Sequence, residues 1–460
     1  MIHMEDPAPQ TNWLAAAAAA TPDHTALIED DGKEVSYSEL DDLAARAAGQ
    51  LQQSFGLAPT RLMGFAPFRV QRRVLAGMWA SWRLGAAVMV ADPQSPMLIG
   101  GADGIRTKWG IPELIADLDI FGEPVRPAVT PNRDQLHTVL LTSGSSGSPR
   151  PVRLTHGNVA AAVVAAAERI GNAAADRWLL NLPLHHIGGL SVLWRSAFAG
   201  GTVVVHDAFD AARAAGAMKR GEVTIASLVP TMLSRILESD PGPYEGMKAV
   251  LLGGAAASVS LVERALDAGL PVLQTYGMTE TCSQATTVSP GVARESLGTA
   301  GIPLRGMSVM VDEISGEILV DGPAVSPGYL GEPDRTGPYR TGDIGSIDGR
   351  GRLIVAGRLD DMIVTGGENV YPAAVADVIG RHPLVQRVEV VGVPDPEWGN
   401  LVGAVLVADA DAVREIEEWA RLQLARHEVP KRWLFVTEIP LLNNGKVDRH
   451  RLVELARESQ

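Results

Sequence analysis

The sequence is poor in cysteine and in positive charge, and each shortage excludes a class of protein. Cys282 is the only cysteine among 460 residues, so no intrachain disulfide can form and a reducing cytosol fits. The 54 acidic residues outnumber the 40 basic ones, which gives a formal net charge of −14. This charge argues against nucleic acid or an anionic membrane as a bulk partner. Anionic ligands would need local donors instead.

Long apolar runs are also missing. No stretch of the sequence approaches the roughly 18–20 apolar residues that a membrane-spanning helix needs. Acidic residues, Glu5 and Asp6, precede the alanine run at 15–20, where a signal peptide would carry positive charge. We therefore expect a soluble cytoplasmic protein without membrane insertion.

The residues that are abundant indicate an α/β protein. Hydrophobic residues make up 46% of the chain, glycine occurs 48 times, and helical and strand-like apolar runs alternate. After about residue 296, turn-rich strands replace this alternation. We predict a large multi-layer N-terminal domain over 1–359, with two α/β subdomains and a β-barrel-like module. A small mobile α+β C-terminal domain would cover 360–460.

A loop rich in serine and glycine follows the apolar run 136–142. Glycine lets backbone N–H groups turn toward a phosphate, hydroxyls add donors, and Arg150 adds a cation. A Walker A motif is absent. A flexible linker is the alternative, but we expect Asn158 to cap a helix over 159–170, and linkers seldom lie between a core strand and a capped helix. The candidate phosphate-binding residues are Thr142, Ser143, Gly144, Ser145, Ser146, Gly147 and Arg150.

Several further motifs combine small, acidic and basic residues. They are Tyr276-Gly277-Met278-Thr279-Glu280, Thr341-Gly342-Asp343, Gly357-Arg358-Leu359-Asp360-Asp361 and Gly445-Lys446. Glu280 could hold Mg²⁺ through oxygen, and Asp343 suits a ribose diol. Taken singly, each motif is also explained by an ordinary turn or surface pair.

In their joint order and spacing, these motifs resemble the superfamily of adenylate-forming enzymes, which includes acyl-CoA synthetases, peptide-synthetase adenylation domains and firefly luciferase. The resemblance runs from about residue 12 to 455. It implies an enzyme that adenylates a carboxylic acid with ATP and Mg²⁺, then passes the acyl group to coenzyme A.

The resemblance also implies a role for each matching residue. Residues 142–147 would wrap the β- and γ-phosphates, and Asp360 would be the hinge of the small domain. Lys446 would bridge the attacking carboxylate and the α-phosphate, where negative charge grows. The other implied roles are adenine binding by Gly253, Gly254, Ala255 and Tyr276, close approach of the nucleotide at Gly277, α-phosphate binding by Thr279, metal binding by Glu280, and ribose binding by Asp343 and Arg358. Arg150 departs from the family, which usually has lysine there, and arginine is a planar fork rather than a point charge.

Two segments of the predicted small domain resemble the pantetheine-binding parts of CoA ligases. Gly366 and Gly367 match the tunnel-lining segment, Trp398 matches a residue that packs on pantetheine, and Lys431 matches a cation for the CoA nucleotide. Trp398 is equally well explained as a packing residue of a surface turn.

The segment 181–195 resembles the acid-binding part of these enzymes. His186 matches a residue that abuts the substrate carboxylate, and Arg195 lies in an apolar helical stretch with Ser191 one turn earlier. An arginine there is costly to bury unless it meets an anion, such as a second carboxylate on the substrate. The alternative is a packed stem whose head reaches water or a protein carboxylate.

These segments look closest to the o-succinylbenzoate–CoA ligases of menaquinone biosynthesis. An aryl- or fatty-acyl-CoA ligase is the alternative, and an inactive nucleotide-binding paralogue is a third. The sequence leaves open whether the protein forms a homodimer.

Overall fold

The structure is a computed structural model that describes residues 12–94, 111, 114–116, 118, 120, 122–125, 130–142, 149–441 and 447–458. The predicted phosphate-loop residues Ser143, Gly144, Ser145, Ser146 and Gly147 lie outside these residues, and so does Lys446.

The first part of the chain alternates helices and strands. Its elements are α1 (Trp13–Ala20), β1 (Thr25–Ile28), β2 (Glu34–Ser36), α2 (Tyr37–Phe55), β3 (Leu62–Phe65), α3 (Arg72–Arg83), β4 (Ala87–Val90), β5 (Leu114–Ile115), β6 (Leu136–Thr142) and β7 (Arg150–Thr155). Local chemistry fixes the ends of α2. Ser36 accepts a hydrogen bond from the Glu39 backbone, and Gly56 ends the helix in the left-handed conformation.

The middle part continues the alternation. Its elements are α4 (His156–Ile170), β8 (Arg177–Leu180), α5 (Ile187–Ala199), β9 (Thr202–Val205), α6 (Ala211–Lys219), β10 (Ile225–Leu228), α7 (Pro230–Ser239), β11 (Ala249–Leu252), α8 (Val259–Asp267), β12 (Val272–Tyr276), β13 (Thr286–Thr287) and β14 (Ile302–Pro303).

The predicted start of α4 is wrong. Thr155, not Asn158, is the cap: its hydroxyl accepts from the Asn158 backbone at 3.1 Å, and the Asn158 side chain accepts from the Thr155 backbone at 3.0 Å. Both residue types cap well, and this reciprocal pair places threonine first. Because β7 precedes α4, the phosphate loop connects two antiparallel strands rather than a strand and a helix.

The last part is richer in strands. Its elements are β15 (Ser308–Val311), β16 (Glu317–Asp321), β17 (Gly328–Tyr329), β18 (Tyr339–Ile347), β19 (Leu353–Arg358), β20 (Ile363–Thr365), β21 (Glu368–Val370), α9 (Pro372–Ile379), β22 (Val385–Asp395), β23 (Gly399–Ala408), α10 (Val413–Gln423), β24 (Arg432–Phe435) and α11 (Arg449–Glu458).

Four sheets organise the described strands. The largest has the order β14-β13-β12-β11-β10-β8-β9-β1-β2, with parallel pairing from β1 through β12 and antiparallel edges. A second sheet has the order β17-β7-β6-β4-β3-β5. The four central strands β8, β10, β11 and β12 are mostly buried, as the covered faces of a parallel sheet require. These two sheets with their helices are the two predicted α/β subdomains.

The remaining two sheets differ in their surroundings. The order β15-β16-β18-β19 is antiparallel throughout and forms the predicted β-module. The order β21-β20-β23-β22, with β24 beside β23, packs on α9 and α10 around a separate hydrophobic core. The α9 carboxylate of Asp377 accepts a hydrogen bond at 3.2 Å from the Val259 backbone at the start of α8. No helix within the described ranges is both long and apolar enough to cross a bilayer.

Candidate nucleotide, acid and coenzyme A sites

The predicted adenine residues lie together at one edge of the large sheet. β11 and β12 pair in parallel, so the loop after Leu252 and the end of β12 at Tyr276 emerge side by side. A Cβ on Gly253 would lie 2.4 Å from the Thr275 hydroxyl, which explains why the residue is glycine. Ligands of open parallel sheets bind at this carboxyl edge.

The loop after β12 buries its acidic residue. Glu280 lies in a 3-10 turn, Thr279–Thr281, and is 8% exposed. The next two residues, Cys282 and Ser283, both have positive φ, which is rare for residues other than glycine. A Cβ on Gly277 would lie 1.6 Å from the Ser283 carbonyl oxygen, so the loop folds directly over this glycine. The structure therefore holds Glu280 in a fixed, strained loop.

A second buried carboxylate, Asp343, faces this loop. The Tyr276 hydroxyl donates to Asp343 Oδ2 at 2.7 Å, and Arg358 Nη1 lies 3.1 Å from Oδ1. Asp343 and Arg358 are direct neighbours across β18 and β19. Burial raises the pKa of Asp343, while Tyr276 and Arg358 oppose that rise. Burial and the nearby Asp343 charge raise the pKa of Tyr276, so the phenol stays a donor at neutral pH.

The Thr-Gly-Asp motif is held by its own sheet. The Thr341 hydroxyl donates to the Ile318 carbonyl at 2.8 Å and accepts from the Asp343 backbone at 3.0 Å. Gly342 has φ +71°, a conformation that favours glycine, and its N–H donates to Glu317 Oε1 at 2.9 Å. These contacts orient Asp343 toward Tyr276.

The described ends of the phosphate loop are Thr142 and Arg150, which pair across β6 and β7. Arg150 stacks on the ring of Tyr329, with 3.4 Å from the guanidinium carbon to the ring centroid. Its Nη2 also lies 3.0 and 3.3 Å from the two carboxylate oxygens of Glu332. The Tyr329 hydroxyl in turn donates to Glu280 Oε1 at 2.9 Å.

Helix α5, predicted to bind the acid, carries a fully buried cation. Arg195 is 2% exposed, and burial lowers its pKa to about 10. Its Nη2 donates to the Ser283 hydroxyl at 3.1 Å, and its guanidinium lies 5.8 Å from the Trp178 ring centroid. Within the described ranges Nε has no hydrogen-bond partner, and Cys282 rather than a carboxylate is the ionisable neighbour of Arg195. The described residues therefore do not show the alternative in which the guanidinium of Arg195 meets a protein carboxylate.

The other two predicted acid-binding residues lie on the first turns of α5. His186 precedes the helix as its N-cap, with its ring centroid 4.5 Å from that of His185. The Ser191 hydroxyl donates to the Gly188 carbonyl at 3.3 Å. Ser283, and not Ser191, is the side chain that accepts a hydrogen bond from Arg195. The Ser283 loop lies 88 residues away in sequence, so local spacing could not reveal it.

The predicted CoA residues come together on the small α+β unit. Lys431 Nζ lies 3.1 Å from the Trp398 ring centroid, and Trp398 is 41% exposed. The Gly366 N–H donates to the Trp398 carbonyl at 3.0 Å, and a Cβ on Gly366 would lie 2.8 Å from the indole. Gly367 follows with φ +87° and open space around it. The arrangement presents an exposed aromatic face with a cation above it.

The predicted hinge residue lies between these regions. Asp360 Oδ2 is 3.9 Å from Arg358 Nη2, and the adjacent Asp361 pairs with Arg449 at 3.2 Å. Among the described residues no three acidic, histidine or cysteine side chains form a metal site. Glu280 is the one residue that the resemblance assigns to Mg²⁺, and phosphate oxygens would supply other ligands.

Sequence reasoning assigned no role to Tyr329, Tyr339 or Glu332. Tyr339 lies two positions before Thr341 of the Thr-Gly-Asp motif, so the sequence could have indicated it. Tyr329 joins Glu280 across 49 residues of sequence, and no local pattern indicates that contact.

The fold and these sites define an enzyme of the nucleotide-activating class, and the chain belongs to the AMP-binding enzyme family. The family matches residues 14–97 and 102–330, and its C-terminal domain matches residues 374–446. The chain is 36% identical to a 2-succinylbenzoate–CoA ligase of Bacillus licheniformis, over 96% of this chain and 99% of that protein.

Two solved structures of the o-succinylbenzoate coenzyme A synthetase of Bacillus subtilis are also similar. The complex with ATP and magnesium ion is 30% identical, with a TM-score of 0.83 over 96% of this chain and 99% of that chain. A double mutant bound with its product analogue OSB-NCoA is 31% identical, with a TM-score of 0.70 over 97% and 98%.

Proposed function

We propose that the protein is an ATP-dependent acid–CoA ligase that converts o-succinylbenzoate to its CoA thioester, as in menaquinone biosynthesis. In the first step a substrate carboxylate oxygen attacks the α-phosphorus of ATP, and the bond to the departing pyrophosphate breaks. In the second step the thiol sulfur of coenzyme A attacks the acyl carbon, AMP leaves, and the thiol proton goes to solvent.

The single observation that carries the choice of acid is Arg195. A buried arginine without a carboxylate partner is unfavourable by itself and becomes favourable when a ligand supplies an anion. o-Succinylbenzoate has one carboxylate to activate and another to be recognised. Ser283, which accepts a hydrogen bond from Arg195, lies three residues after Glu280 in the same loop. The two carboxylates of the substrate would therefore both lie along this loop.

The nucleotide roles follow from the described geometry. Asp343, held by Tyr276 and Arg358, would accept from ribose hydroxyls beside Gly253, Gly254, Ala255 and Gly277. Thr279 would donate to the α-phosphate at the start of the 3-10 turn. A buried carboxylate at Glu280 is a suitable oxygen ligand for Mg²⁺, and the metal would neutralise charge on the phosphates. Residues 142–147 with Arg150, and Lys446, are assigned to the phosphates by resemblance.

We also propose that the small domain, 360–460, turns about Asp360 between the two steps. The similarity to the ATP-bound relative is 0.83 in TM-score, against 0.70 for the product-analogue complex, although identity and coverage are nearly equal. A change of domain arrangement accounts for such a difference without a change of fold. Asp360→Pro should restrict the hinge and slow thioester formation more than adenylation.

The exposed cluster of Gly366, Gly367, Trp398 and Lys431 would then receive the pantetheine and nucleotide parts of coenzyme A. The homodimer stays a prediction that sedimentation equilibrium can test. A single, buried cysteine is consistent with the proposed cytoplasmic location, and burial raises the pKa of its thiol to about 12.

The test is pyrophosphate release measured with a panel of acids. We expect o-succinylbenzoate to give the highest kcat/KM, above benzoate, 2-alkylbenzoates and medium-chain fatty acids. A higher kcat/KM with a monocarboxylic acid would contradict o-succinylbenzoate as the substrate and would assign that class of acid instead. Release of no pyrophosphate with any acid, while ATP binds, would favour an inactive nucleotide-binding protein.

A further inference from the structure

Arg150, Tyr329 and Glu280 form one continuous line of contacts. The Arg150 guanidinium lies over the Tyr329 ring at 3.4 Å, and the Tyr329 hydroxyl donates to Glu280 Oε1 at 2.9 Å. One tyrosine therefore joins the cation of the phosphate loop to the carboxylate assigned to magnesium.

Arginine suits this position better than lysine because its charge is planar. A guanidinium stacks face to face on an aromatic ring, whereas an ammonium is a compact point charge. Glu332 binds the edge of the same guanidinium through Nη2, which leaves the ring contact in place. Positions 150 and 329 thus form a matched pair.

A second phenol lies beside the same carboxylate. The Tyr329 hydroxyl proton is accepted by Glu280. The Tyr339 hydroxyl lies 3.2 Å from that of Tyr329, and Tyr339 is also hydrogen-bonded to Glu280. Burial and the Glu280 charge both raise the pKa of Tyr329, so the phenol remains a donor. Two phenols therefore orient one carboxylate, and hydrogen bonds within one network strengthen one another.

We propose that Tyr329 is a positioning residue of the nucleotide site, whose ring supports Arg150 and whose hydroxyl orients Glu280 toward the magnesium of bound MgATP. The inference rests on the proposed function for the identity of the nucleotide. Tyr329 acts through its two neighbours and is not assigned a contact with the acid.

The experiment measures binding of an ATP analogue with an uncleavable α,β-bridge, by calorimetry, with and without magnesium. No acid is needed, so the choice of acid does not affect the result. Tyr329→Phe keeps the ring and removes the hydroxyl. It should reduce the magnesium-dependent gain in affinity about tenfold, the usual effect of losing a hydrogen bond to a charged group. Affinity without magnesium should not change.

A double-mutant cycle tests whether the Tyr329 ring supports Arg150. Arg150→Lys should weaken analogue binding about threefold in the wild-type background, because the stack is lost. In the Tyr329→Leu background, where no ring remains, the same substitution should have no effect. Equal effects in the two backgrounds would show that the Tyr329 ring does not support Arg150.

Tyr244→Phe is the matched control. Tyr244 also has a hydrogen-bonded hydroxyl, 2.7 Å from the Asp240 carbonyl, and a cation near its ring, Lys219 at 5.7 Å, but it belongs to the α/β core away from the nucleotide edge. It should leave both affinities unchanged. If Tyr329→Phe does not fold, Tyr339→Phe removes the second donor and should give a smaller loss in the same direction.

The outcomes separate this inference from the proposed function. A wild-type protein that binds no analogue with magnesium contradicts the proposed function. A wild-type protein that binds, together with a Tyr329→Phe variant that keeps the full magnesium gain, contradicts the role of Tyr329 alone.

Discussion

The proposed acid-binding helix and the proposed CoA-binding surface each place a cation near an aromatic ring, one buried and the other exposed to solvent. Arg195 is 2% exposed, lies 5.8 Å from the Trp178 ring centroid, and has no carboxylate partner among the described residues. Lys431 lies 3.1 Å from the centroid of Trp398, which is 41% exposed.

This difference separates selection from transient contact. A buried cation without a counter-ion gains much from a matching anion and little from a neutral group, so it discriminates between substrates. An exposed cation is screened by water and salt, so it contributes less to affinity and releases its ligand readily. Under the proposed function, the large domain would select the acid, and the small domain would receive a thiol substrate common to many enzymes.

The largest expected effect comes from breaking the division between the two domains. Lys446→Ala should slow pyrophosphate release at least about a hundredfold, because a cation is lost where two anions meet. The variant should still convert supplied acyl-adenylate to thioester. Lys431→Ala, from the same domain, should show the reverse pattern. Equal losses in both half-reactions for Lys446→Ala would contradict its assignment to adenylation.

Arg195→Gln sharpens the comparison on the buried side. Loss of a charge-assisted contact should lower kcat/KM for o-succinylbenzoate by about 1.5–3 kcal/mol, roughly ten- to a hundredfold. Benzoate-like monoacids should be spared. The measurement is the ratio of kcat/KM for the two acid types in wild type and variant, and an unmoved ratio would make Arg195 structural.

Acid should destabilise the large domain through its buried histidines. Burial lowers the pKa of His156 to about 4. Between about pH 6.5 and pH 4, this histidine is therefore protonated in the unfolded chain and neutral in the folded chain. The free energy of unfolding should fall by about 2 kcal/mol from this residue between pH 7 and pH 5, and the loss should end near pH 4. Burial lowers the pKa of His137 and His206 as well, which adds to the slope.

Urea unfolding followed by tryptophan fluorescence measures this effect. His137 contacts His156 at 4.6 Å between ring centroids and stacks on Trp82, so one of the nine tryptophans lies in the same cluster. His156→Gln should flatten the dependence on pH, whereas His450→Gln, on the exposed face of α11, should not. An unchanged slope in His156→Gln would contradict the assignment.

The smallest expected effect lies on the exposed side. Trp398→Ala should raise the KM for coenzyme A about fivefold and leave acyl-adenylate formation unchanged, because cation–π pairs at exposed sites contribute about 1 kcal/mol. Trp398→Phe keeps a ring and should lie near wild type. An effect on adenylation would place Trp398 elsewhere in the mechanism.

The fold was largely predictable because its signals are local. The apolar runs Ala249–Leu252 and Glu317–Asp321 in the sequence coincide with β11 and β16, and the glycines at positions 56 and 200 coincide with the ends of α2 and α5. The hairpin β6–β7 was not predicted. A strand as short and polar as Arg150–Thr155 has no clear alternation, and its pairing with β6 decides its structure.

The candidate sites divide in the same way. Motif residues such as Glu280 and Asp343 were found because their neighbours in sequence carry a pattern. The contacts that position them, Tyr329 with Glu280 and Ser283 with Arg195, join segments 49 and 88 residues apart. Such contacts depend on the packing of whole elements, and one sequence does not display them.

The most direct test of the account is a single-turnover reaction of the wild-type protein with o-succinylbenzoate and MgATP, quenched before and after addition of coenzyme A. The account predicts acyl-adenylate and pyrophosphate before the addition, and AMP with o-succinylbenzoyl-CoA after it. Formation of ADP and phosphate, or thioester without a preceding adenylate, would contradict it.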